Sequence, residues 1–103
     1  MHFDCTSERL GDTVVVTPLG DLDRDTAPQL RTMLAAAADE VSGGGRIEVE
    51  LRHVTFMDSS GVGALLAGHR LAQNTDTTLR VRGPIPAVRA VLDITNVWEL
   101  LGS

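Results

Sequence analysis

An alternating run, Ile47, Val49 and Leu51, gives way across Asp58-Ser59-Ser60 to helical spacing at Val62, Leu65 and Leu66. Side chains repeat about every two residues on a strand and about every 3.6 on a helix, so this change of period commits the chain to a strand-to-helix step. Asp58-Ser59-Ser60 suits that step, because short side-chain oxygens accept from N–H groups that a first helical turn leaves unpartnered. Two hydroxyls are therefore predicted at a helix N-terminus, near the surface. An anion there is favoured by the macrodipole to roughly 0.3–1 kcal/mol when exposed and about 2 kcal/mol when partly buried. A phosphoryl group on either serine adds about −1.5 to −2 charges beside Asp58, enough to disturb a docking surface more than the fold. On residue types alone, Asp-Ser-Ser-Gly is also an ordinary cap.

Upstream, Phe3 to Glu8 has weak strand character and Leu10-Gly11-Asp12 supplies a turn. The β-branched run Thr13 to Thr17 is a firm second strand, paired with the first as a hairpin. Pro18 cannot donate to a ladder, so the strand is expected to loosen or reach an edge there. Gly20-Asp21-Leu22-Asp23-Arg24-Asp25-Thr26 is an acidic loop. It is not a calcium loop of the EF-hand kind, because Thr26 and Thr32 stand where Gly and Glu are required. Asp25 or Thr26 is expected to cap a helix from Ala27, with Pro28 in its first turn and Leu30, Met33, Leu34, Ala37 and Val41 inward. Gly43-Gly44-Gly45 ends that helix as a flexible link, and without a following Lys-Ser or Lys-Thr it is no phosphate cradle.

Arg46 to Leu51 alternates, with Glu48 and Glu50 opposite the apolar set, which predicts a sheet covered on one face and wetter on the other. In the helix after Ser60, Gly61, Ala64 and Gly68 form a small-residue stripe that permits close approach, and His69 is a boundary residue with no second His or Cys at metal spacing. A polar loop over 74–78 leads to a strand, Leu79 to Arg82, and then to a helix carrying Val88, Val91 and Leu92. The order strand, strand, helix, strand, helix, strand, helix implies an α/β fold with parallel strands, right-handed crossovers and one antiparallel pair at the start. The acidic loop and the Ser59 loop both follow strands and precede helices, so Asp21, Asp23 and Asp58 should crowd Ser59 at the carboxyl end of the sheet.

Length and charge narrow the function. A chain of 103 residues is expected to be a single domain, 1–103, with a core that needs no metal or disulfide. A net charge of −5 without a basic cluster argues against nucleic acid and for protein partners. All nine basic residues are Arg, which excludes Schiff-base chemistry and a phosphate-loop lysine. Cys5 stands alone and reads as packing in a reducing compartment. No apolar run approaches the ~18 residues of a membrane span, and the N-terminus lacks the signal-peptide pattern, so a cytoplasmic protein away from membranes is expected.

Three stretches, in order, resemble the STAS domains, and among them the stand-alone bacterial anti-sigma factor antagonists. Gly20-Asp21-Leu22-Asp23 with Thr26-Ala27 is similar to the family's entry to its first helix. Phe56-Met57-Asp58-Ser59-Ser60-Gly61-Val62-Gly63 resembles its phosphorylation loop, and Leu79-Arg80-Val81-Arg82-Gly83-Pro84 with Val88, Val91 and Leu92 resembles its last strand and third helix. Each motif is weak alone; three in register are strong. The chain departs from the family at Asn96-Val97-Trp98, where a Gly-Leu turn is usual, and it ends at Ser103, where many relatives continue into a further short helix. Asn tolerates the left-handed backbone that such a turn uses.

The resemblance implies a STAS fold: a mixed, mostly parallel sheet of about four strands with helices on one face. It also implies a partner switch. The unphosphorylated protein would bind an anti-sigma factor that is an ATP-binding serine kinase, so freeing a sigma factor. Phosphorylation at Ser59 would end that binding and a metal-dependent serine phosphatase would restore it. Ser59 would be the acceptor, Asp58 a positioning group and Ser60 a cap or auxiliary hydroxyl. Asp21, Asp23, Asp58, Ser60, Gly61 and Val62 would form the partner-binding surface, with Gly61 and Gly63 keeping the loop accessible. No cofactor and no catalysis by this chain are implied. The alternative within the family is a STAS subunit of a lipid-transport complex or a stress-signalling scaffold without a phosphorylation cycle. An enzyme is disfavoured, since Ser59 lacks the Gly-x-Ser-x-Gly elbow and no credible triad accompanies it.

Overall fold

The computed structural model describes residues 2–103. Strands β1 (Asp4–Leu10) and β2 (Thr13–Leu22) form an antiparallel hairpin about Gly11-Asp12, in register from Asp4 opposite Leu19 to Leu10 opposite Thr13. The first half of β2, Thr13 to Val16, pairs in parallel with β3 (Arg46–Glu50), and its last residues, Gly20 to Leu22, pair in parallel with β4 (Val54–Met57). Strand β5 (Thr78–Arg82) lies parallel to β3, from Arg46 opposite Thr78 to Glu50 opposite Arg82. The sheet is mixed and mostly parallel, with five strands where the pattern suggested about four. The added one is β4.

Pro18 does not loosen the strand; β2 runs through it. It falls after Val16, the last partner of β3, and before Gly20, the first partner of β4, while Cys5 of β1 pairs opposite it. A residue without an N–H costs a ladder nothing where the partner strand is being exchanged. The register shift between Gly20 and Asp21 is a bulge within the pairing to β4, where Thr55 is left without a partner on β2.

Helices α1 (Ala27–Glu40), α2 (Ser59–Asn74), α3 (Pro86–Ile94) and α4 (Val97–Leu101) complete the chain. On the covered face, Val14, Val16, Ile47, Val49, Leu79 and Val81 meet Leu30 and Leu34 of α1, Ala64 and Leu65 of α2, Val88 and Leu92 of α3 and Val97 and Leu101 of α4 in one core. The opposite face carries Glu48, Glu50, Arg80 and Arg82, all half-buried, as the alternation predicted. The small-residue stripe does bring α1 and α2 together: a Cβ at Gly68 would stand 2.6 Å from Leu34 Cδ1. His69 is half-buried, at the boundary.

Two local expectations change and one short helix is added. Thr26 is the N-cap of α1, but its side chain makes no cap bond. The triglycine is a bonded turn: Gly43 N–H donates to Thr75 O (2.8 Å), Gly44 to Asp76 O (2.6 Å) and Gly45 to Val41 O (2.9 Å). Beyond α3, Asn96 takes the left-handed conformation at φ 62° that its residue type permits, and a short α4 follows. After α4, Gly102 bridges Val81 and Ser103 N–H donates to Val81 O (3.0 Å), so the tail covers the outer edge of β5. Among the described residues no helix is long and apolar enough to cross a membrane.

Candidate functional site

Leu22 and Met57 are paired at the ends of β2 and β4, and Asp58 N–H donates to Leu22 O at 3.3 Å. The two loops that follow these strands are thereby brought side by side at the carboxyl end of the sheet, as α/β topology requires. Asp58 is extended (φ −113°, ψ −169°) and caps α2: its carbonyl accepts from Val62 N–H at 3.2 Å and its Oδ1 from Ser60 N–H at 2.8 Å. Ser59 is the first helical residue and is exposed, while Asp58 and Ser60 are half-buried. The cap thus fixes the backbone on both sides of an outward-facing hydroxyl at the positive end of a 16-residue helix.

Beneath it, Gly61 and Val62 are buried. A Cβ on Gly61 would lie 2.9 Å from Met57 Cγ and 3.0 Å from Leu22 Cγ, so glycine lets the first turn of α2 seat on the ends of both strands. Burial places both residues under the turn, where they support it from below. Gly63 meets only the Arg31 guanidinium, at 3.2 Å from a built Cβ.

The acids divide between two tasks. Asp23 and Asp58 line, with Arg24, Asp25 and Ser60, a shallow depression of about 400 Å³. Asp23 Oδ1 also accepts from the N–H groups of Asp25 (2.9 Å) and Thr26 (3.2 Å), holding the turn that starts α1. The Thr26 hydroxyl accepts from Asp23 N–H at 2.9 Å and donates to Asp21 O at 2.8 Å. So Asp23, rather than Asp25 or Thr26, accepts from the N–H groups that lead into that helix, while the Thr26 hydroxyl turns back to the loop. Asp21 is drawn elsewhere: its Oδ1 accepts from the Thr55 hydroxyl at 2.7 Å, cross-linking β2 and β4, and it does not line the depression beside Ser60.

Two features of this end were not singled out from sequence. Arg24 stands as the one cation in a rim of Asp23, Asp25 and Asp58. Phe56 is 50% exposed, two residues before the cap, although apolar residues are costly in water. The signal for Phe56 was its place between Val54 and Met57, both buried, in a strand whose pairing with β2 is irregular.

Nucleophilic chemistry finds little support in the remaining groups. Cys5 is buried, and its thiol is pushed up to about 11 by that burial and, less, by the Asp4 carboxylate. It is therefore held as the unreactive thiol. Among the described residues no group of three His, Cys, Asp or Glu side chains is placed to hold a metal ion.

The chain is similar to proteins named as anti-sigma factor antagonists. The anti-sigma-B factor antagonist of Staphylococcus epidermidis is 29% identical over 82 residues, spanning 80% of this chain and 74% of the relative. The anti-sigma F factor antagonist of Paenibacillus polymyxa is 25% identical over 101 residues, 98% of this chain and 86% of the relative. The solved structure of the anti-sigma factor antagonist SpoIIAA in its unphosphorylated form superposes with a TM-score of 0.81 at 26% identity, covering 97% of this chain and 88% of that one. The family model described as "Mlab, STAS domain" matches residues 5–102, nearly the whole length over which the sheet, its helices and the capped Ser59 turn have been described, and the chain belongs to the STAS domain family.

Proposed function

We propose that this chain is an anti-sigma factor antagonist whose binding is ended by phosphorylation of Ser59. The observation that carries the reading is the exposure of Ser59 at the first position of α2, directly after the capping Asp58. A kinase can reach that hydroxyl without unfolding the turn, because the cap is made by the neighbours on either side. The similarity to antagonists of anti-sigma-B and anti-sigma F factors supports the class of partner.

In this reading the partner is an anti-sigma factor with serine kinase activity, and the unphosphorylated chain binds it and releases a sigma factor. ATP and the catalytic groups belong to the partner, so the chain acts by binding rather than as an enzyme and needs no cofactor of its own. It works as one domain in the cytoplasm. Ser59 is the acceptor, Asp58 positions it, Ser60 supplies the capped N–H, and Asp23 presents its charge to the partner from the adjacent loop. Asp21 acts at one remove, by bracing β2 against β4 through Thr55.

A phosphoryl group on Ser59 is tolerated by the helix terminus and stands between Asp58 and Ser60, which line a depression with Asp23 and Asp25. Bulk and like charge then fall on the docking surface while the fold is left standing. A metal-dependent serine phosphatase resets the switch. The test is to incubate the purified chain with ATP and each candidate anti-sigma kinase and to map phosphate by intact mass and peptides. One phosphate on Ser59, absent from Ser59→Ala and retained in Ser60→Ala, is the expected result. No phosphate with any such kinase on a folded chain would overturn the reading in favour of a subunit without a phosphorylation cycle.

A further inference from the structure

We infer that the amino end of the sheet, opposite Ser59, carries a site for a small phosphate-class anion held between Arg46 and Arg80. The solvent face of β3 and β5 presents Arg46, Glu48 and Glu50 beside Thr78, Arg80 and Arg82, in the register Arg46 to Thr78, Glu48 to Arg80 and Glu50 to Arg82. Direct pairing across the strands would give each acid the arginine opposite. Instead Arg82 takes both, with Nη1 2.8 Å from Glu48 Oε1 and Nε 3.1 Å from Glu50 Oε1. Arg80 is left to donate through Nη1 to the Leu100 carbonyl at 3.4 Å, a neutral acceptor that orients the side chain and leaves its charge in place. Among the described residues neither Arg80 nor Arg46 forms an ion pair.

These two guanidiniums border a polar depression of about 400 Å³, together with Thr13 and Thr78 and the Gly44-Gly45 turn. Arg46 lies opposite Thr78 and so diagonal to Arg80 on the same face, and two long side chains in that relation can close on one phosphoryl or diphosphoryl group. Guanidinium stays charged, and its planar fork binds phosphate oxygens in pairs, which suits it to this ligand better than an ammonium. The whole molecule carries −5, which opposes any anion and most of all an extended anionic surface, so a small anion that meets only the local arginine pair is the occupant. Asp12 stands at the rim, its carbonyl accepting from Arg46 N–H at 2.9 Å, and its carboxylate counts against any anion. That opposition gives the site a signed test.

The experiment is titration of the full, ¹⁵N-labelled chain with inorganic diphosphate at constant ionic strength. Saturable amide shifts confined to Thr13, Gly44, Arg46, Thr78 and Arg80 are expected. Arg46→Gln and Arg80→Gln should each weaken binding about tenfold, the loss of one charge-assisted hydrogen-bonding group. Asp12→Asn should tighten it, and Arg70→Gln should leave it unchanged. The same spectra report whether each variant is folded. Shifts that never saturate, or binding unaltered in folded Arg46→Gln and Arg80→Gln, would overturn the site. Recruitment to phosphatidylglycerol vesicles through the same arginines would overturn the assignment to a free anion.

Discussion

Gly63 and Gly68 lie on the same helix, and replacing each by Ala should move stability in opposite directions. Both changes gain helix propensity, about 0.8–1.0 kcal/mol for Ala over Gly in a helix interior. At Gly63 the new methyl meets only Arg31 Nη2, at 3.2 Å, the far end of an exposed side chain that can swing away. At Gly68 it would stand 2.6 Å from Leu34 Cδ1, 3.2 Å from Leu79 Cδ1 and 3.3 Å from Leu34 Cβ. Leu34 is 0% exposed and packed from every side, so its methyl has no empty space to enter. Overpacking of this kind costs roughly 1–3 kcal/mol. The propensity gain offsets part of that, leaving Gly68→Ala destabilised by up to about 2 kcal/mol and Gly63→Ala stabilised by up to about 1 kcal/mol. In a domain of this size about 1 kcal/mol moves Tm by ~4–8 °C, so the two melts should separate clearly. Circular dichroism during heating and urea titration would measure both, with an unchanged urea slope showing that the unfolded state is not the cause. Equal stability of the two variants would refute the claim that α1 and α2 approach closely because position 68 has no side chain.

Asp58→Ala should cost about 1 kcal/mol through loss of the bond to Ser60 N–H, Asp58→Asn should recover most of it, and Ser59→Ala should cost less than either loss; urea midpoints would rank them. Cys5, whose thiol lies near 11 folded against 9.0 as a free side chain, contributes stability that is complete below pH 9. The folded state there holds the proton more tightly than the unfolded one, so stability falls as pH rises from about 9 towards 11. That decline should be shallower in Cys5→Ala, as denaturant midpoints measured across this range would show.

The parts of this fold that announced themselves are those where one period runs undisturbed. Ile47, Val49 and Leu51 alternate cleanly and are all 0% exposed, and Leu30 and Leu34 on α1 are equally buried. Strand β4 hid because Val54 and Met57 are buried with two outward residues between them, a spacing of three that reads as a helix face and breaks the alternation of a strand. Its existence depends on β2 changing partners around Pro18, a tertiary event that no local pattern records. Likewise α4 is one short turn, held by Val97 and Leu101 reaching the core rather than by its own propensity. At the site, a capped helix start over Asp58-Ser59-Ser60 was legible from residue types, but not which residue caps it: Ser60 was the expected cap, and Asp58 takes that place while Ser60 supplies the N–H. The division between Asp21, which reaches Thr55 across 34 residues of chain, and Asp23, which folds back on its own turn, was not legible either. Both are acids in one loop, and only the paired ends of β2 and β4 separate their tasks.

A partner switch of this kind is a change in affinity set by one hydroxyl. Isothermal titration of the cognate anti-sigma factor with the unphosphorylated chain, the Ser59-phosphorylated chain and Ser59→Ala measures that change directly. Binding by the unphosphorylated chain and by Ser59→Ala, with none by the phosphorylated chain at the same concentrations and an unchanged melting profile, is the predicted result. Equal affinity of the phosphorylated and unphosphorylated chains would contradict the account, since the exposed Ser59 turn would then lie outside the surface that the partner reads.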